Sequence, residues 1–131
     1  MTSLNLKREQ PESLMDKRRK YERVSAIIPA EVTWLEPGVR IEANVTMLGR
    51  GGLELFAPRA IAEGQSVEVE VHLFAGRHDE GVERVLGTVV WLKVDLDGNA
   101  IGVRFIEPLT PKSFPLLCQY LDRIKSGGRM S

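Results

Sequence analysis

With 131 residues, 43% of them apolar and 27% charged, the chain has the make-up of one soluble globular domain, long enough to bury a core and too short for two. Lys and Arg number 18 and Asp and Glu 18, so the net charge is zero, which argues against wholesale electrostatic binding to DNA or to an anionic membrane. The single cysteine, Cys118, excludes an internal disulfide, and with neither a signal-peptide pattern nor a membrane-length apolar run the expected location is the cytoplasm.

Met1 to Asp16 is polar, broken by Pro11, and reads as a flexible N-terminal leader. A basic cluster follows, Lys17-Arg18-Arg19-Lys20-Tyr21-Glu22-Arg23, and residues 1 to 30 hold seven Lys and Arg against four acids. Such a run at the start of a domain is ordinarily a solvated face. Three guanidinium forks can also clamp phosphates, bond a guanine edge or stack on a base, so an anionic ligand is expected at this end.

From Val24 the pattern turns to period two. Ala26, Ile28, Ala30, Val32 and Trp34 predict a half-buried strand, with Pro29 suggesting an edge or a bulge. Glu36-Pro37-Gly38 marks a turn, and Ile41, Ala43 and Val45 predict a second strand that forms a hairpin with the first. Gly49-Arg50-Gly51-Gly52 interrupts the pattern before a short strand over Leu53 to Phe56 and a loop from Ala57 to Gln65. Val67 to Leu73 alternates cleanly, and Ala75 to Glu83 is a polar turn. Val85 to Val94 is strongly β-forming, its run Val89-Val90-Trp91-Leu92 implying burial on both faces or a barrel position, so Trp34 and Trp91 are expected in the core. Asp97-Gly98-Asn99 predicts a turn before a last strand, Ala100 to Ile106.

Six strands on short turns are expected to close into a mainly β fold, a six-stranded antiparallel barrel without exposed edges. One C-terminal α-helix follows. Ser113 is its expected N-cap, Phe114, Leu117, Cys118, Leu121 and Ile124 share its apolar face, and Gly127-Gly128 is its expected end, leaving 127–131 as a disordered tail. The helix would cover the barrel mouth or meet a partner.

The chemistry of an enzyme is missing. His72 and His78 lack the paired spacing of a metal site, no serine sits in a nucleophile elbow, and the Gly49–Gly52 turn precedes a strand without the Lys-Ser/Thr of a phosphate-binding loop. Neither catalytic residues nor a metal or cofactor are therefore expected. Aromatics are only 6% of the chain, too few stacking platforms for a single-stranded nucleic-acid groove, so nucleic acid is not an expected partner.

An RxxxR pair, Arg19 and Arg23, stands before the first strand; a glycine-bearing turn follows the second; Gly87-Thr88-Val89-Val90-Trp91 lies in the fifth; Gly102-Val103-Arg104-Phe105 closes the sixth. In this order the motifs resemble the PilZ domain family over residues 17 to 125, and the unit is set at 17–126. The resemblance implies a non-catalytic bacterial receptor for cyclic di-GMP that signals to a protein partner, as a monomer or homodimer and without membrane insertion. In the family, the arginines of RxxxR hold phosphates and guanine faces, which here implies Arg19 and Arg23 as principal contacts and Arg18 as a supporting one.

A second family motif, D/N-x-S-x-x-G, is degenerate in this chain. Aligning the glycine pair places Met47 at the Asp/Asn position and Gly49 at the Ser position, with Gly51 and Gly52 retained. A shifted register through Asn44 and Thr46 restores N-x-T-x-x-G but needs three extra residues before the third strand, which favours the first. Two readings follow: a receptor that keeps the dinucleotide, or a PilZ-like protein–protein adaptor whose degenerate site does not bind it.

Overall fold

The computed structural model describes residues 23–34, 38–73 and 81–130. The leader, Arg18, Arg19, His78 and Ser131 lie outside them. Six strands, β1 (Arg23–Trp34), β2 (Arg40–Gly49), β3 (Gly52–Ala57), β4 (Ser66–Leu73), β5 (Gly81–Asp95) and β6 (Gly98–Phe105), precede one helix, α1 (Pro115–Met130). The strands are antiparallel and close in the order β1-β2-β3-β6-β5-β4.

Alternation decides which side chains fill the barrel. Val32, Val45, Leu55, Val69, Val89 and Ile101 point inward and are buried, and Ile61, from the connection after β3, joins them. The barrel has no edge strand for Pro29. The proline follows a register shift between Ser25 and Ile28 and stands just before the β1–β4 ladder, whose first pair is Ala30 with Val71, so its missing N–H costs that ladder nothing.

A second shift, between Val89 and Trp91, corrects the expectation for Trp91. Val85, Gly87 and Val89 face inward, and unbroken alternation would put Trp91 with them; the shift pairs Trp91 with Gly102 and Leu92 with Ile101 instead. The indole is thereby turned to the outside of the barrel and half-buried, while Trp34 is in the core as expected. The β5–β6 turn also sits earlier than its glycine suggested. Leu96 and Asp97 form it, Asp95 pairs with Gly98, and Asn99 is buried, donating from Nδ2 to the Ala57 carbonyl at 3.2 Å.

Helix α1 lies against β1, β4 and β5 through buried Leu117, Cys118 and Leu121. Ser113 is not its cap. Glu83 on β5 accepts from the Leu116 and Leu117 N–H groups at 2.8 Å each, so a carboxylate thirty-odd residues upstream satisfies two orphan donors and meets the positive end of the helix dipole. Glu83→Ala is accordingly expected to cost about 1–2 kcal/mol, read as a fall in Tm of several degrees. An unchanged Tm would show the cap to be dispensable. The helix also runs through Gly127 and Gly128 to Met130, past its expected stop. Glycine inside a helix weakens it without ending it, and a stop needs the left-handed backbone of a closing residue.

Among the described residues no helix is long and apolar enough to cross a membrane. On the outer face Arg40 joins Glu31 of β1 to Glu70 of β4, and Arg84 adds a 2.7 Å ion pair to Glu70. The Arg40 hydrogen bond holds the Glu31 carboxyl below its ordinary pKa.

Candidate functional site

Two features of strand pairing build a concave site on the outside of the barrel. One is the row of partners Ser25, Met47, Glu54, Gly102 and Trp91 across β1, β2, β3, β6 and β5. The other is the neighbouring row, in which Arg23 pairs with Gly49 and Gly52 with Arg104. Between them lies a cavity of about 440 Å³ lined by Arg23, Gly49, Gly51, Gly52, Leu53, Val90, Trp91, Gly102, Val103 and Arg104.

Glycines form its floor for a steric reason. A Cβ on Gly52 would lie 2.4 Å from the Val103 carbonyl oxygen, so β3 and β6 approach too closely for any side chain there. A Cβ on Gly102 would lie 2.2 Å from Trp91 Nε1, so the indole lies directly over that glycine. The result is a shallow bed of backbone with an aromatic plane on one side.

Among the described residues two arginines line the cavity, and an acid, Glu54, stands beside one of them. Arg23 is 17% exposed in its side chain and donates from Nη1 to Glu54 Oε2 at 3.0 Å, with Glu54 itself 16% exposed. This pair fixes the guanidinium in the wall of the cavity. Arg104, on β6, is exposed. An indole face, two guanidinium forks and a glycine floor can stack a planar base and hold anionic oxygens.

The structure brings Arg23, Gly49, Gly51 and Gly52 around this one cavity. Met47 is half-buried in the Glu54 row but does not line it. The residues of the shifted register do not line it either. Asn44 lies in another groove, beside Pro29, Glu42 and Phe56, and Thr46 turns its hydroxyl to the Glu54 carbonyl at 3.4 Å.

Glu54, Trp91, Gly102 and Arg104 were not singled out as site residues by spacing, because only the register of β3, β6 and β5 gathers them. A glycine inside a strand pattern, Gly102, was the one available signal of a close neighbour. His72 proves to share a cluster with Glu31 and Glu70, one ligand atom from each lying within 4.8 Å of the others. Both carboxylates are taken by Arg40 and Arg84, whose positive charge stands where a metal ion would have to enter.

Residues 17–123 match the PilZ domain family. The fold is similar to the PilZ domain of YcgR from Escherichia coli, solved with c-di-GMP, at TM-score 0.66 and 18% identity over 86% of this chain and 95% of that one. It is also similar to the Bacillus subtilis inhibitor of motility MotI/DgrA, at TM-score 0.66 and 18% identity over 86% of this chain and 53% of that one. The MrkH–c-di-GMP complex of K. pneumonia matches at TM-score 0.62 and 14% identity over 87% of this chain and 56% of that one. The chain thus spans about half the length of MotI and of MrkH. At these identities the likeness is one of fold. No curated protein sequence matches the chain significantly.

Proposed function

Since this chain belongs to the PilZ domain family, we propose that it is a non-catalytic cytoplasmic receptor for cyclic di-GMP, binding the dinucleotide in the Arg23–Trp91–Arg104 cavity and signalling its occupancy to a protein partner. The observation that carries this reading is the joining of Arg23, the second arginine of RxxxR, to the glycine turn after β2 around one concave surface. In it, Arg23 and Arg104 bond phosphate and guanine edges, and Trp91 offers its face to a base. Arg19, the first arginine of RxxxR, and Arg18 supply further contacts to phosphate and guanine. The solved complexes of the YcgR PilZ domain and of MrkH with c-di-GMP lend support.

Calorimetric titration with cyclic di-GMP tests it. Base–aromatic stacking contributes about 1–3 kcal/mol, so Trp91→Ala is expected to weaken binding roughly tenfold to a hundredfold. The barrel should survive that change, because the indole lies on its outer face. Absence of heat at tens of micromolar wild-type protein and ligand would overturn the reading.

One observation favours a second reading, a PilZ-like adaptor that binds no nucleotide. Glu54 places a carboxylate against Arg23, where it opposes an incoming phosphate, and Met47 and Gly49 stand where the family motif has an acid or amide and a hydroxyl. On that reading calorimetry is silent for the wild type.

A further inference from the structure

We propose that Arg50 is a positioning residue that couples the Gly49–Gly52 turn to the docking of α1. As a route by which occupancy of the site reaches a partner, the coupling rests on the receptor reading above. Arg50 stands between two glycines that line the cavity, but its own side chain is not part of the lining. The guanidinium reaches the helix instead. Nη1 donates to Cys118 Sγ at 3.1 Å, and Nη2 is 3.5 Å from Asp122 Oδ1. Cys118 and Asp122 are four residues apart, one helical turn, so a single fork spans one stripe of α1.

The main chain beside it is tied down as well. The Arg50 carbonyl accepts from the Leu109 N–H at 2.8 Å, and the Gly51 carbonyl from the Phe105 N–H at 2.9 Å, joining the turn to the segment that leads into the helix. A further tether of α1 is at its N-terminus, on Glu83 of β5. Among the polar ties of the helix to the barrel, the one through Arg50 starts at the turn that borders the candidate site.

The Arg50–Asp122 pair is partly solvated, with side chains 34% and 71% exposed, so it biases the helix and does not lock it. That is what a reporter needs, because only a shallow equilibrium can be shifted by a ligand. Glycine has the widest backbone freedom, and a ligand resting on Gly49, Gly51 and Gly52 removes it. Arg50 is then presented to Cys118 and Asp122 from a fixed backbone. Ligand and docked helix reinforce one another, and by linkage the factor is the same in both directions.

Cys118 is the single cysteine and is buried on the barrel-facing side of α1, so its rate of reaction with the disulfide reagent 5,5′-dithiobis(2-nitrobenzoate) reads helix undocking. Saturating cyclic di-GMP is expected to slow that reaction about tenfold in the wild type and leave it unchanged in Arg50→Gln, whose calorimetric affinity falls by the same factor. Slowing that persists in Arg50→Gln, or none in the wild type with ligand bound, overturns the coupling. A ligand-free arm uses Asp122→Lys, a change at an exposed helical position that sets a like charge against Arg50. Amide exchange at Gly49 to Gly52 is expected to rise several-fold in it; unchanged exchange overturns the coupling whether or not nucleotide binds. Raised exchange with silent calorimetry supports the coupling and strikes only the receptor reading.

Discussion

Arg23→Ala is expected to weaken cyclic di-GMP binding by about a hundredfold or more while the barrel stays folded. Hydrogen bonds to a charged group contribute about 1.5–3 kcal/mol each, and loss of two such bonds from one fork corresponds to a factor of roughly 10² to 10⁴. The structure adds a second effect in the same direction. Glu54 loses its Arg23 partner but keeps its carboxylate beside the cavity, where it opposes an incoming phosphate. Glu54→Gln separates the two effects, because it removes the repulsion while keeping the guanidinium, and it should move affinity upward. Calorimetry on the two variants, with circular dichroism to confirm folding, decides the matter. An Arg23→Ala protein that binds as tightly as the wild type would remove Arg23 from the site.

Local pattern carried much of this architecture. The inward residues of β1, β4 and β6 follow simple alternation, as do those of β2 as far as Val45, and a barrel is the economical closure of six short-linked strands, so most of the fold could be read without long-range information. What could not be read is what depends on register. Trp91 looked like a core residue because the apolar run from Val89 to Leu92 is continuous, and no composition marks the shift that turns the indole outward over Gly102. Glu54 reads as the polar half of an alternating strand, and its role against Arg23 exists only because β1, β2 and β3 are neighbours. Ser113 was the best cap within reach along the chain, and Glu83, distant in sequence, is the better one in space. In the candidate site the glycine turn and Arg23 were legible as motifs. Trp91 and Arg104 are there by strand pairing alone.

Gly52→Ala is expected to damage the fold and the site together, and comparison with Gly102→Ala shows why. At Gly52 the new methyl meets the Val103 carbonyl oxygen at 2.4 Å and the Arg104 Cα at 3.4 Å, both backbone atoms that cannot rotate away. Relief requires moving β3 from β6, across pairs from Gly52 with Arg104 to Ala57 with Asn99. In a closed barrel a widened seam strains the others. Overpacking of this kind costs roughly 1–3 kcal/mol, a fall in Tm on the order of 5–15 °C. At Gly102 the three atoms nearest the methyl all belong to the Trp91 ring, a side chain that can swing aside, so stability should fall less while the stacking plane is displaced. Thermal unfolding and cyclic di-GMP titration of the pair should therefore diverge: Gly52→Ala loses both Tm and affinity, Gly102→Ala chiefly affinity. A Gly52→Ala protein with the wild-type Tm would mean that β3 and β6 do not approach as closely as the glycine floor requires, and the cavity built on that approach would have to be redrawn.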